Sequence, residues 1–303
     1  MRFSLLSLLL SFVACGDDGP PPAAEFDGAA AFRYVEQQLG FGPRIPGTEG
    51  HRRMGAWLDS LLRTRTDSVV VQRWIHVTRQ GDSLPLMNFI ARFNPAATTR
   101  IVFLAHWDTR PRADGYASTD SMAPVMGAND GASGVAVLLG MADALKARPA
   151  GVGVDLLFVD GEDYGDFSTM TDVLLGSKYY AANLLPGPKP RFAVLLDMVG
   201  DKSLQLPPEV LSQTAAPEVV DLVWDTAKRM GYAAIFTTKG GIELTDDHVP
   251  LQQVGIHAID VIDFTYGPNN DWHHSTEDTL DKVSEASLKV VGDVMMGVVR
   301  STK

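Results

Sequence analysis

The sequence predicts an α/β fold: a central mixed, mostly parallel β-sheet with helices on both faces. Three observations carry that prediction. Six short apolar runs are spread along the chain, stretches with helical spacing separate several of them, and several runs are flush with apolar residues instead of alternating, as buried sheet strands are. Residues 48–63 show helical spacing, and the runs 69–77, 87–93 and 101–105 follow. Residues 133–147 form the next helical pattern, then come the runs 154–159 and 192–196. A helix is expected over 217–230, where Pro217 suits a first turn and Gly231 a C-terminal stop. The run 256–262 and a helical pattern over 283–299 complete the series. No repeat or long linker interrupts residues 23–303, which are expected to form one catalytic domain after a leader and tether at 1–22.

Composition narrows the function. The chain has 303 residues, 45% of them hydrophobic, enough for a sizeable core. Lys+Arg 26 against Asp+Glu 37 gives a net charge of −11, which argues against a nucleic-acid partner, since phosphate contacts need clustered Lys and Arg. There is one cysteine, Cys15, so an intrachain disulfide and a thiolate metal cluster are both excluded. Any metal must be held by His, Asp and Glu.

Residues 1–14, MRFSLLSLLLSFVA, carry one arginine and an apolar run shorter than the roughly 20 residues a bilayer requires. They read as the hydrophobic region of an export signal. Phe12-Val13-Ala14-Cys15 resembles a bacterial lipobox, in which the cysteine is lipidated, and a Pro-rich tether follows through Pro22. An ordinary signal peptide cleaved elsewhere is the alternative. The expectation is an exported bacterial lipoprotein, periplasmic or on the outer surface, meeting the membrane only through this lipid.

The acidic residues fall where strands end, the place at which such sheets build their sites. The run 101–105 leads into His106-Trp107-Asp108, the run 154–159 into Asp160-Gly161-Glu162-Asp163, and the run 192–196 into Asp197. Gly127-Ala128-Asn129-Asp130-Gly131 opens a helix without the spacing of a phosphate-binding loop, and Trp272-His273-His274 supplies an imidazole near the C-terminus. Carboxylates with imidazole suit zinc. Glu162 and Asp163 are neighbours at a strand end and face different ways, so that one can bind metal while the other acts as a base. His51, His76 and His257 are read as surface or structural, His248 as shaping its loop, and Trp57 and Trp224 as core.

These motifs, in this order, resemble the superfamily of zinc aminopeptidases and glutaminyl-peptide cyclotransferases. The matching blocks are Gly42–Gly47, Ala105–Thr109, Gly127–Gly134, Asp160–Gly165, Gly176–Tyr179, Leu196–Met198, Thr245–His248 and His274–Thr279. Three features resemble the cyclase branch, in particular its bacterial, animal-like type. Glu162 precedes Gly176 by fourteen residues, a longer gap than aminopeptidases have. Asp246 stands where aminopeptidases usually carry Ser. Asp163 replaces the second Glu, within Gly161–Gly165, and is joined by the Ile259-Asp260-Val261-Ile262 pattern.

The resemblance implies one zinc on Asp130, Asp163 and His274, with Glu162 as general base and acid and Asp197 and Asp246 as a proton-holding acidic network. His274 is preferred to His273 because it stands four residues before Asp278. His106 and Asp197 occupy the position of a second metal in aminopeptidases, so two zincs stay open. Phe167, Asp260, Phe264, Tyr266 and Trp272 are candidates for the substrate pocket. The expected substrate is a peptide or protein with N-terminal Gln, and a monomer is expected. A di-zinc aminopeptidase is the alternative, and a non-catalytic binding lipoprotein a third reading.

Overall fold

A computed structural model describes residues 25–303. The N-terminal features read above, Cys15 among them, lie outside the described residues. Six strands form one sheet: β1 (Ser68–Val77), β2 (Ser83–Phe93), β3 (Arg100–His106), β4 (Gly153–Val159), β5 (Ala193–Asp197) and β6 (Ala258–Ile262), in the order β1-β2-β4-β3-β5-β6. The pairings among β4, β3, β5 and β6 are parallel, while β1–β2 and β2–β4 are antiparallel. The sheet is mixed and mostly parallel, with the antiparallel hairpin at one edge.

Side chains alternate across the sheet into two apolar layers. Phe103, Leu156, Val194 and Val261 face a large core, built with α1 (Gly28–Leu39), α2 (Glu49–Arg65), α3 (Ala132–Ala147), α6 (Pro217–Arg229) and α8 (Glu285–Ser301). Val102, Leu104, Leu157 and Leu195 face the opposite layer, where α4 (Leu175–Ala182) and α7 (His248–Gln253) supply Tyr180 and Leu251. A short α5 (Val210–Ala215) packs by β6. Strands β3, β4 and β5 are buried along their whole length, which is why their sequences do not alternate.

Helix limits follow capping chemistry. Thr48 and Ser284 lie just outside their helices, their hydroxyls accepting from His51 and Ser287 backbone N–H. Pro217 opens α6, and Gly231 follows it with φ 86°, a conformation that needs glycine. Helix α3 is apolar almost all round because it is sealed between the sheet and α1, α2 and α8. Gly134 lets it approach β5: a Cβ there would lie 2.1 Å from the Leu196 carbonyl oxygen. Asp130, on the turn before α3, is thereby brought beside Asp197 at the end of β5. No described helix is long and apolar enough to cross a membrane.

Candidate metal centre

The carboxyl ends of β3, β4 and β5 present His106, Asp160 and Asp197, and buried carboxylates anchor the backbone around them. Asp108 Oδ1 accepts from Glu162 N at 3.1 Å and its Oδ2 from Asp163 N at 3.2 Å, fixing the turn that carries both acids. Asp278 does the same for the other side, accepting from Asn129 N at 2.8 Å and Asp130 N at 3.1 Å. Asn129 Oδ1 accepts from Gly200 N, tying that turn to the segment after Asp197. Ser177 of the Gly-Ser-Lys block donates to Asp247, and Asp247 N donates to Asp246 Oδ1 at 2.5 Å.

These anchors converge the predicted residues. His274 Nε2 lies 3.2 Å from Asp163 Oδ1 and 3.5 Å from Asp130 Oδ2. Asp130 Oδ2 and Asp163 Oδ2 are buried without a hydrogen-bond partner among the described residues, as expected of oxygens that serve a cation. Among the described residues, the donor groups lying within 4.8 Å of one another are Asp130–His273–His274 and His106–Asp130–Asp197; Asp163 is in neither, and His273, which the His-to-Asp278 spacing sets aside, stands in the first. Its ring stacks on His274 at 3.7 Å, and burial together with His274 pushes its pKa down to about 3, leaving it neutral. His274 adopts φ 51° and Met198, next to Asp197, φ 46°: two non-glycine residues held in the left-handed region at the site. Buried carboxylates outnumber cationic groups here, and a set of carboxylate oxygens and imidazole nitrogens with orphaned oxygens fits a divalent ion such as zinc.

The second predicted position is also assembled. His106 Nε2 lies 3.1 Å from Asp130 Oδ1 and 3.3 Å from Asp197 Oδ1. Burial alone would lower the His106 pKa, but Asp108, Asp130 and Asp197 outweigh it and hold it well above the ordinary value. Glu162 is pushed well above the carboxylate range by burial, with Asp246 and Asp163 reinforcing that rise against His106. Asp246 rises for the same reason, first from burial and then from Asp197 and Asp247.

A cavity of about 510 Å³ opens on these groups, walled by Glu162, Asp197, Asp246, Phe167, Phe264 and His274 among others. Two expected pocket aromatics are placed elsewhere. Tyr266 is fully buried and its hydroxyl donates to Asp278 Oδ1 at 2.7 Å, so it holds the carboxylate that holds Asp130. Trp272 packs edge-on against Tyr266, with Lys282 over its ring, and does not line the cavity. Between them, Gly267 has φ 74° and a Cβ there would strike the half-buried Trp272 ring. Asp260 points from β6 into the buried layer and is absent from the cavity wall; neither of its oxygens has a hydrogen-bond partner among the described residues. His51, unplaced by any motif, is buried, stacked on Trp107 and paired with Asp160 at 2.9 Å.

The fold and site define a class: a mixed, mostly parallel sheet with a carboxylate–imidazole cluster fit for a divalent cation at its strand ends. Residues 88–299 match the model of peptidase family M28, and the chain belongs to that family. Among solved structures, it is similar to the glutaminyl cyclase of Bacteroides thetaiotaomicron bound to N-acetylhistamine, at 34% identity over 92% of this chain and 99% of that one, with TM-score 0.87. The glutaminyl cyclase of Porphyromonas gingivalis is 37% identical over 91% and 98%, also with TM-score 0.87. Curated relatives include aminopeptidase YwaD of Bacillus subtilis, 30% identical over 59% of this chain and 38% of its own length. They also include bovine glutaminyl-peptide cyclotransferase, 24% identical over 69% and 65%. The chain therefore spans less than two thirds of either curated relative.

Proposed function

We propose that this protein is a zinc-dependent glutaminyl cyclase, converting an N-terminal glutaminyl residue to pyroglutamate with release of ammonia. The observation that carries the reading is the group Glu162, Asp197 and Asp246, three buried carboxyls on one cavity wall beside the cation centre. Like charges this close favour sharing of protons, which suits moving a proton from an amine to a leaving group. The likeness to two glutaminyl cyclases supports it, while an equal likeness to a leucine aminopeptidase precursor of Bacteroides thetaiotaomicron, 34% identical with TM-score 0.88, supports the scaffold without choosing between the two reactions.

Zinc bound by Asp130, Asp163 and His274 would supply Lewis-acid polarisation of the side-chain carbonyl. The chain's own residues do the rest. The substrate α-amine attacks its own γ-carbonyl, so a new N–C bond forms, the side-chain amide C–N bond breaks, and ammonia leaves. Glu162 accepts the proton from the α-amine and returns one to the departing nitrogen. Asp197 and Asp246 orient the amine and hold the shared proton. Phe167 and Phe264 flank the glutamine side chain. Because attack is intramolecular, positioning is the main service required.

The His106–Asp130–Asp197 group favours one second reading, a di-zinc aminopeptidase. Zinc-loaded protein given Gln-initiated peptides should release ammonia and leave a product lighter by that mass. Two tightly held zincs with hydrolysis of aminoacyl-anilides would instead establish the aminopeptidase, and binding without turnover a non-catalytic role. We further propose export with a lipid on Cys15, which predicts that Cys15→Ser moves the protein from the membrane fraction to the soluble one. A monomer is proposed, and gel filtration checks it.

A further inference from the structure

Arg110 follows the His106-Trp107-Asp108-Thr109 block and belongs to no motif. Its guanidinium is enclosed, its side chain only 7% exposed. Nη1 donates to Asp163 Oδ1 at 2.8 Å and to the Asp163 carbonyl oxygen at 3.2 Å. Nε and Nη2 form a fork on Asp114, at 2.5 and 2.7 Å. Asp114 Oδ1 in turn lies 3.8 Å from His274 Nδ1. The next residue, Gly115, donates its backbone N–H to the His274 carbonyl oxygen at 2.9 Å, in a contact so close that a Cβ would meet the His273 carbonyl oxygen at 2.3 Å. One line of contacts therefore runs Asp163–Arg110–Asp114–His274.

We propose that Arg110 and Asp114 form a positioning clamp that joins two metal ligands, Asp163 and His274, from outside the centre. This rests on the zinc-site reading above but not on which of the two reactions the site performs. Arg110 neutralises part of the Asp163 charge and fixes its Oδ1, the oxygen that lies 3.2 Å from His274 Nε2, while Oδ2 has no hydrogen-bond partner among the described residues. Asp114 faces the Nδ1 edge of the His274 ring, which favours the tautomer with its proton there and leaves Nε2 as the donor. The planar fork matters: Lys keeps the charge but cannot span Asp163 and Asp114 together.

The test uses purified Arg110→Met, Arg110→Lys and Asp114→Asn proteins, with the exposed Arg112→Met as control. Zinc affinity is read by competition with a chromogenic chelator, and ligand geometry from the visible absorption of the cobalt(II)-loaded protein. Arg110→Met should weaken zinc by about 10–100-fold, the usual range for losing such a ligand support, and shift the cobalt bands. Arg110→Lys should not restore either, Asp114→Asn should move both in the same direction, and Arg112→Met neither. If Arg110→Met does not fold, Asp114→Asn decides, because that side chain is 46% exposed. Lowered thermal stability with zinc affinity and cobalt bands unchanged would overturn the clamp. Wild-type protein that binds neither metal would overturn the zinc-site reading with it.

Discussion

Glu162 and Asp260 are both buried carboxyls raised above their ordinary range, yet their surroundings assign them different work. Glu162 lines the cavity, so Glu162→Gln should keep its zinc and lose about 10²–10⁴-fold in kcat, the usual contribution of a positioned acid–base group. Full activity in that variant, with zinc bound, would remove Glu162 from the mechanism. Asp260 is away from the wall, and burial, with Asp246 and Asp197 behind it, raises its pKa well above 3.8. A raised carboxyl favours folding while both states are protonated, below about pH 3.8, and that contribution is lost as pH rises toward the folded value. Asp260→Asn removes this penalty, so its melting temperature relative to wild type should climb between pH 4 and pH 8. A difference independent of pH would show that Asp260 is not carrying the shift, and a collapse of kcat in a well-folded variant would place it in the proton network.

At the scale of elements, the site depends on α3 lying close against β5. Gly134→Ala would force a methyl group against the Leu196 carbonyl, one residue before Asp197, and overpacking of this kind typically destabilises by about 1–3 kcal/mol. Thermal unfolding of the variant should show that loss, together with weaker zinc binding as the turn carrying Asp130 shifts; an unchanged melting temperature would refute the close approach. This juxtaposition was partly legible in the sequence. Each expected strand and each expected long helix is present, because buried strands and long helices with apolar residues at helical spacing leave continuous signals. Helices α4, α5 and α7 have eight, six and six residues, too few turns for a period to show, and the twelve-residue α1 was not read from the sequence either. Strand ends marked Asp197 and the Glu162-Asp163 pair, since chain direction alone puts them on one rim of the sheet. Tyr266 and Trp272 lie off the cavity wall, a placement that the irregular segment around Gly267 leaves no periodic trace of. Arg110 gave no signal either: its partners stand four and fifty-three residues away, and only the folded chain brings them together.

Over the whole molecule, the net charge of −11 is unevenly spent. Asp108, Asp130, Glu162, Asp163, Asp197, Asp246, Asp247 and Asp260 are all buried around one centre, faced by fewer cationic groups, His106, His274, Arg110 and the buried Arg44 beside Asp108 and Asp130. Desolvated carboxylates without matching cations oppose folding, so the ion-free protein carries a repulsion that a divalent ion relieves. Folding and metal binding are then linked. Zinc that binds the native state alone should stabilise it by about 2.7 kcal/mol at a free concentration one hundred times its dissociation constant. Calorimetry of chelator-stripped protein should therefore give a lower melting temperature that rises with added zinc and saturates at the stoichiometry of the site. Saturation at one equivalent fits the cyclase; a second rise at two fits occupation of the His106–Asp197 position. Magnesium, which prefers oxygen ligands in octahedral geometry, should stabilise far less than zinc if the imidazoles take part. Equal stabilisation by both ions would mean that the acidic cluster attracts cations only through its charge, and would undo the assignment of His274 as a ligand.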